Sequence, residues 1–141
     1  MKNDIAMLLL RLSFGTTLCV AHGWSKLMTY AEHAATFPDP LGVGAPVSLA
    51  LVIFAEFFCA LAVVAGLFTR LSAVPVIITM LVAFFVIHGH DTWATKEASF
   101  VYAAAFLCIA VAGAGNFSLD YVLSQMKQKS FTIKSPTTAS T

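Results

Sequence analysis

Residues 46–68 read PVSLALVIFAEFFCALAVVAGLF, twenty-three residues with a single charged side chain, Glu56. A helix needs about 20 mostly apolar residues to cross the roughly 30 Å hydrocarbon layer of a bilayer. The stretch has that length, and its apolar residues do not alternate with polar ones as the strands of a membrane barrel require. It therefore predicts a membrane-spanning helix.

Three further stretches are apolar over a similar length, at residues 5–27, 71–88 and 98–115. The connection at 30–46 contains three prolines and two glycines, which favour a loop. Residues 69–70 form a joint too short for anything but an antiparallel pair of helices, and residues 89–96 form the third turn. We therefore predict an all-α integral membrane four-helix bundle over residues 1–123, followed by a polar, poorly ordered tail over 124–141.

The composition agrees with a lipid environment. Hydrophobic residues make up 59% of the 141 residues and charged residues 11%, against roughly 25% charged in an average globular domain. A soluble domain of this size exposes a large share of its residues and needs more charge than that. The net charge of +1 gives no sign of a nucleic-acid partner. The lipid bilayer is the partner that the composition predicts.

Lysine and arginine are concentrated at one end of the predicted bundle. Six lie on the side of the termini: Lys2, Arg11, Arg70, Lys127, Lys129 and Lys134. The opposite side has Lys26 and Lys96. Because basic residues favour the cytoplasmic side of a membrane, both termini and the tail are predicted to be cytoplasmic.

Ionisable side chains within the predicted spans are the candidates for function, because a charge near the bilayer centre costs about 2.5–3.5 kcal/mol on insertion scales. At about 100° per residue, one stripe of the first helix holds Arg11, Gly15, Leu18, His22 and Lys26, and it is predicted to face the bundle. Glu56 is the deepest charge. Two interpretations of it stay open: a proton-handling or ligand-binding carboxyl in an outward-facing cavity, or a neutral acid that hydrogen-bonds two helices together.

Other polar residues collect at the outer ends of the predicted helices. We predict Glu56, His22 and His88 as catalytic residues, and Lys26, Trp24 and Glu97 as substrate-binding residues. The histidines do not form a recognised metal-binding pattern, so no metal site is predicted. At the inner face, Arg11, Arg70 and Asp120 are predicted to form a structural cluster of paired charges.

Several segments together resemble one protein family. They are MLLLRLSFG (7–15), HGWSK (22–26), AEFFCALAVVAGLFTRL (55–71), His88 after MLVAFFVI (80–87), and GAGNFSLD (113–120). In this order they resemble the DoxX-type small membrane proteins, a family similar to the DoxD subunit of thiosulfate:quinone oxidoreductases. The resemblance implies a prokaryotic cytoplasmic (inner) membrane and redox or oxidative-stress partners. It marks as family-like positions Arg11, His22, Lys26, Glu56, Arg70, His88 and Asp120.

Three functions follow as hypotheses. The first is a quinone-linked oxidoreductase subunit whose outward-facing pocket, lined by His22, Lys26, Glu56 and His88, binds a quinone or a small polar substrate. The second is a non-catalytic scaffold that docks a soluble oxidoreductase or a metal-handling protein at the membrane. The third is a small transporter or proton pathway, for which a single four-helix chain would need to form a homo-oligomer.

Overall fold

The computed structural model describes residues 1–134. Four of its helices are long and apolar enough to span a membrane: α1 (Lys2–Met28), α2 (Ala45–Ala65), α3 (Thr69–Ile87) and α4 (Trp93–Ala112). A fifth helix, α5, covers Leu119–Lys134. The chain is thus an all-helical, multi-pass membrane protein, as the sequence predicted.

The structure corrects three sequence-based boundaries. Helix α4 begins at Trp93 rather than at residue 98, because Thr92 is extended and its hydroxyl lies 3.2 Å from that of Thr95 in the first turn. A short helix, Tyr30–His33, lies within the connection predicted to be a loop. Residues 124–134 continue α5 instead of forming a disordered tail. The rest of the predicted tail, 135–141, lies outside the described residues.

Three of the spans contain wider, π-helical turns. They occur at Arg11–Gly15 and Cys19–Gly23 in α1, at Phe54–Cys59 in α2 and at Ala83–Ile87 in α3. A π turn closes its hydrogen bonds from residue i to i+5 and so shifts the positions that face the bundle. The turns in α1 and α2 carry Arg11, His22 and Glu56.

The protein interior is apolar and built from all four spans. Its fully buried apolar side chains include Leu18, Val63, Val76, Phe106 and Ile109. Alanines line the same interior and let the helices approach closely, as small residues do in membrane bundles. Many large apolar side chains on the outside are exposed, which is the surface expected of helices facing lipid.

Hydrogen bonds of Asp4, Asn116 and Asp120 connect the helices at the end of the bundle that carries the N-terminus. We call this end the terminal end. The carboxylate of Asp120 accepts hydrogen bonds from the N–H groups of Phe68 (2.7 Å) and Thr69 (2.9 Å), where α3 begins. The N–H of Asp120 donates to the carbonyl of Gly66, and that of Asn116 donates to the carboxylate of Asp4. Since the first N–H groups of a helix lack internal partners, Asp120 caps α3 from another part of the chain.

The opposite end, which we call the loop end, is organised by Asp39. Its carboxylate accepts hydrogen bonds from the hydroxyl of Ser48 and from the N–H groups of Gly44 and Val43. These bonds, with that from Ser48 the largest cause, hold the pKa of Asp39 below its ordinary value of 3.8. They fix the chain at the point where α2 begins.

We expect Gly66→Ala to lower the free energy of unfolding by about 2–4 kcal/mol. Gly66 has a φ of +71°, and an added Cβ would collide with a guanidinium nitrogen of Arg11 and lie 2.5 Å from the Cβ of Ser118. Gly42 is the matched control, because its φ is +69° but nothing lies within 4 Å of the added atom. Unfolding in mixed detergent micelles would measure both variants, and equal losses would contradict the packing at Gly66.

We expect Asp39→Asn to speed amide hydrogen exchange at Val43 and Gly44 near neutral pH. A lowered pKa means that the carboxylate stabilises the fold above its ordinary pKa of 3.8 and loses that effect as the pH falls through the lower, folded value. The wild type and the variant should therefore converge in acid below that pH. Glu32→Gln, an exposed change in the same connection, is the control. A difference that persists unchanged in acid would contradict the role of the carboxylate.

Candidate functional site

An ion pair joins α1 to α2 inside the membrane-spanning part of the bundle. Lys26 donates through Nζ to the carboxylate of Glu56, which is 5% exposed. Glu56 lies eleven residues into α2, or about 16 Å from its start at 1.5 Å per residue, which is near the middle of a 30 Å hydrocarbon layer. A buried carboxylate at that depth needs a cationic partner, and Lys26 supplies it. We call Lys26 and Glu56 the polar pair.

Gly23 makes this pairing sterically accessible. A Cβ at Gly23 would lie 2.6 Å from the carbonyl oxygen of Glu56 and 2.8 Å from the Cα of Phe57. The backbones of α1 and α2 therefore touch at this point, and Lys26 follows Gly23 by about one helical turn. The approach of two helices is closest where a side chain is absent.

Tyr102 of α4 completes the surroundings of the polar pair. It is buried, and its ring meets those of His22 (5.7 Å between centroids) and Phe14 (6.1 Å) edge to face. The sequence analysis missed Tyr102. The sequence does indicate it in one way, because Tyr102 is a hydroxyl-bearing aromatic residue within an otherwise apolar stretch of α4.

His22 does not face the bundle interior as the sequence predicted. It is exposed, and it meets the site through the edge of its ring against Tyr102. The reason is the π turn at Cys19–Gly23, which places Cys19 and Gly23, rather than His22, in the buried positions after Leu18.

The other sequence-predicted residues lie around the loop end. His88 Nδ1 lies 2.7 Å from a carboxylate oxygen of Asp91, and both side chains are partly exposed. Within residues 1–134, no hydrogen bond or ion pair connects His88 to the polar pair. Trp24 is exposed and its ring packs 6.0 Å from that of Phe57. The structure therefore groups Lys26, Glu56 and, through Tyr102, His22, but it leaves His88 outside that group.

A groove of about 500 Å³ lies between α1 and α4. We call it the lateral groove. Its polar lining comes from Ser13, Thr17, Glu97 and Tyr102, with Phe14 and Val101 among the apolar residues. Glu97 lies in the first turns of α4 and is exposed. Tyr102 belongs to both the groove and the surroundings of the polar pair, so it connects them.

The terminal end holds Arg11, Arg70 and Asp120, but their contacts differ from the predicted charge pairing. Arg11 is fully buried and donates to the carbonyls of Phe117 (2.5 Å) and Val63 (3.4 Å), while its Nε has no partner among the described residues. Asp120 acts on Arg11 electrostatically but makes its hydrogen bonds to the start of α3. Arg70 is exposed. Backbone groups, rather than ion pairs, join this cluster in the described chain.

Residues 1–134 contain no group of three or more His, Cys, Asp or Glu side chains arranged to hold a metal ion.

The sequence profile of the DoxX family matches residues 6–89, more than half of the chain. The matched part includes Arg11, the polar pair and nearly all of α1 to α3. No curated protein and no solved structure matches the chain.

We expect Lys26→Met to lower the free energy of unfolding by about 2–4 kcal/mol, because it leaves the buried carboxylate of Glu56 without its cation. The double variant Lys26→Met/Glu56→Met should lose less than the single one, since it leaves no unpaired charge. Unfolding in mixed micelles would measure the free energy of unfolding of the two single variants, Lys26→Met and Glu56→Met, and of the double variant.

Lys96→Met is the control for this cycle. Lys96 donates to the carbonyl of Gly89 rather than to a carboxylate, so its loss leaves no buried charge. If the effects of the two single substitutions at Lys26 and Glu56 simply added in the double variant, the two side chains would not interact.

Proposed function

The chain belongs to the DoxX family, and from that membership we propose that it is a membrane subunit of redox metabolism whose lateral groove binds the headgroup of a quinone beside the polar pair. The observation that carries the proposal is Tyr102, which lines the groove and whose ring packs edge to face against that of His22, one helical turn before Lys26. The proposed location is the cytoplasmic membrane of a prokaryote, with both termini in the cytoplasm.

The chemistry of a quinone fits the residues of the groove. A quinone headgroup needs hydrogen-bond donors at its two carbonyl oxygens, and its isoprenoid tail needs an apolar exit. The hydroxyls of Ser13 and Tyr102 make no hydrogen bond to another described residue, so both are free to donate. Because the groove lies between two membrane-spanning helices, the tail would remain among the lipid chains.

Reduction of a quinone to a quinol takes up two electrons and two protons. In the proposal, a soluble or membrane-bound redox partner protein supplies the electrons. Ionisable side chains near the groove handle the protons: Glu97 at one wall, His22 against the ring of Tyr102, and Glu56 behind it. Lys26 holds the charge of Glu56 in place.

We expect a photoreactive azidoquinone to label the two walls of the lateral groove, near residues 13–17 of α1 and 94–102 of α4, when the full chain is reconstituted in nanodiscs. Tyr102→Phe removes one donor and should lower the labelling yield about three- to tenfold. Peptide mass spectrometry locates and measures the label.

Tyr121→Phe is the matched control, because Tyr121 is exposed at the terminal end and should not affect the labelling. Label spread evenly over the lipid-facing helices would contradict a quinone site in the groove. So would labelling that Tyr102→Phe and Glu97→Gln leave unchanged.

A further inference from the structure

A second groove, of about 530 Å³, lies at the terminal end and takes no part in the proposed redox function. It is formed by the start of α3, residues 112–118 and the start of α5. Its polar lining comes from Thr69, Arg70, Asn116, Ser118, Asp120 and Tyr121. We call it the terminal groove.

Arg70 is the free cation of this groove. It makes no hydrogen bond or ion pair with any residue between 1 and 134. Its guanidinium lies against the backbone at Gly113, where an added Cβ would be 3.2 Å from Nε and 3.4 Å from a terminal nitrogen. The arginine side chain lines the groove and is exposed, with its donors unused. A guanidinium in this state favours an oxyanion such as a phosphate.

The wall of the groove holds a second unused polar group. Thr69 is 1% exposed, and its hydroxyl oxygen has no hydrogen-bond partner within the described part of the chain. Buried polar atoms are rarely left in this state, so each one points to a ligand or a water. Asp120 also lines the groove but forms no ion pair with Arg70 in the described chain, and its two carboxylate oxygens accept hydrogen bonds from the backbone at the start of α3.

Helix α5 leaves the terminal groove as an amphipathic helix. Within residues 119–126, four exposed apolar side chains recur at spacings of three and four residues: Leu119 (46%), Val122 (51%), Leu123 (43%) and Met126 (63%). Lys127 and Lys129 are also exposed. The hydrogen bonds of Asp120 tie the first turn of α5 to the start of α3, at the level where the membrane span begins. A helix with an apolar face and lysines at that level is typical of one lying in the membrane interface.

The charge of the terminal end selects the type of lipid. Its two acidic residues in the described chain, Asp4 and Asp120, are engaged by backbone N–H groups. The cations Arg70, Lys127 and Lys129 have no carboxylate partner in residues 1–134. An excess of positive charge at a membrane surface attracts anionic headgroups by about 1 kcal/mol per basic residue.

We propose that Arg70 in the terminal groove binds the phosphate of an anionic phospholipid, and that α5 lies flat on the same leaflet with its apolar side chains among the lipids. The lipid rather than a free phosphate is the ligand, because the lining of the groove also includes the exposed apolar side chains of Phe68 and Leu71 at the start of α3. The lipid rather than a second copy of the chain covers the apolar side of α5, because the lysines of α5 complement anionic headgroups.

The test is native mass spectrometry of the full chain with an equal mixture of phosphatidylglycerol and phosphatidylcholine of the same chain length. We expect the wild type to retain phosphatidylglycerol preferentially and Arg70→Gln to lower this preference about five- to tenfold. Arg70→Lys should keep most of it. Lys96→Gln removes the same charge at the loop end and should leave it unchanged. Equal retention of the two lipids by the wild type, or equal loss in the Arg70→Gln and Lys96→Gln variants, would overturn the proposal.

Two further measurements distinguish the lipid from other occupants. Displacement of phosphatidylglycerol by millimolar inorganic phosphate would show a site for free anions and contradict the lipid. Amide exchange in residues 119–129 should slow in nanodiscs that contain phosphatidylglycerol, compared with phosphatidylcholine alone. Amide exchange that is independent of the lipid would contradict the flat orientation of α5. Exchange that slows only as the protein concentration rises would also contradict it, and would indicate that a second copy of the chain covers α5.

Discussion

A single ion pair between two helices, Lys26 with Glu56, sets the arrangement of the membrane-spanning part of this protein. Such a pair adds little net stability, because the cost of taking two charges out of water offsets most of their attraction. It does fix the rotation of α1 against α2, since breaking it would leave a charge within the bilayer. Gly23 is required at this contact, because any side chain there would push apart the two helix backbones that the pair joins.

The terminal end holds the same two helices by a different means. Arg11 of α1 reaches the carbonyl of Val63 in α2 and that of Phe117 after α4, and Gly66 leaves room for its guanidinium. Asp120 then caps α3. The bundle is therefore fixed at the terminal end by polar side chains on buried backbone and deeper in the membrane by the polar pair, and apolar residues fill the rest of the interior. This division leaves the lateral groove between α1 and α4 free to hold a ligand.

The four spans could be predicted from the sequence because length and hydropathy alone determine which segments can cross a bilayer. The start of α4 could not be predicted, because Lys96 and Glu97 have the composition of a turn. The extended backbone at Thr92 places the start of the helix before these two residues. The depth of Glu56 could be predicted from its position, although the sequence left open whether its carboxyl is neutral or is paired with a cation. His22 was misplaced because a regular helix of 3.6 residues per turn was assumed, and the π turn at Cys19–Gly23 departs from that period. Tyr102 and the cap by Asp120 depend on contacts between distant segments, which no local pattern reveals.

The most direct test is a distance measurement between the polar pair in a lipid bilayer. Solid-state NMR of the full chain, labelled with ¹⁵N at lysine side chains and ¹³C at glutamate carboxyls, reports the dipolar coupling between Lys26 Nζ and the Glu56 carboxylate carbon. We predict a coupling of direct contact that disappears in Lys26→Met and persists in Lys96→Met. A spectrum in which the Glu56 carboxylate shows no coupling to any lysine nitrogen would contradict the account.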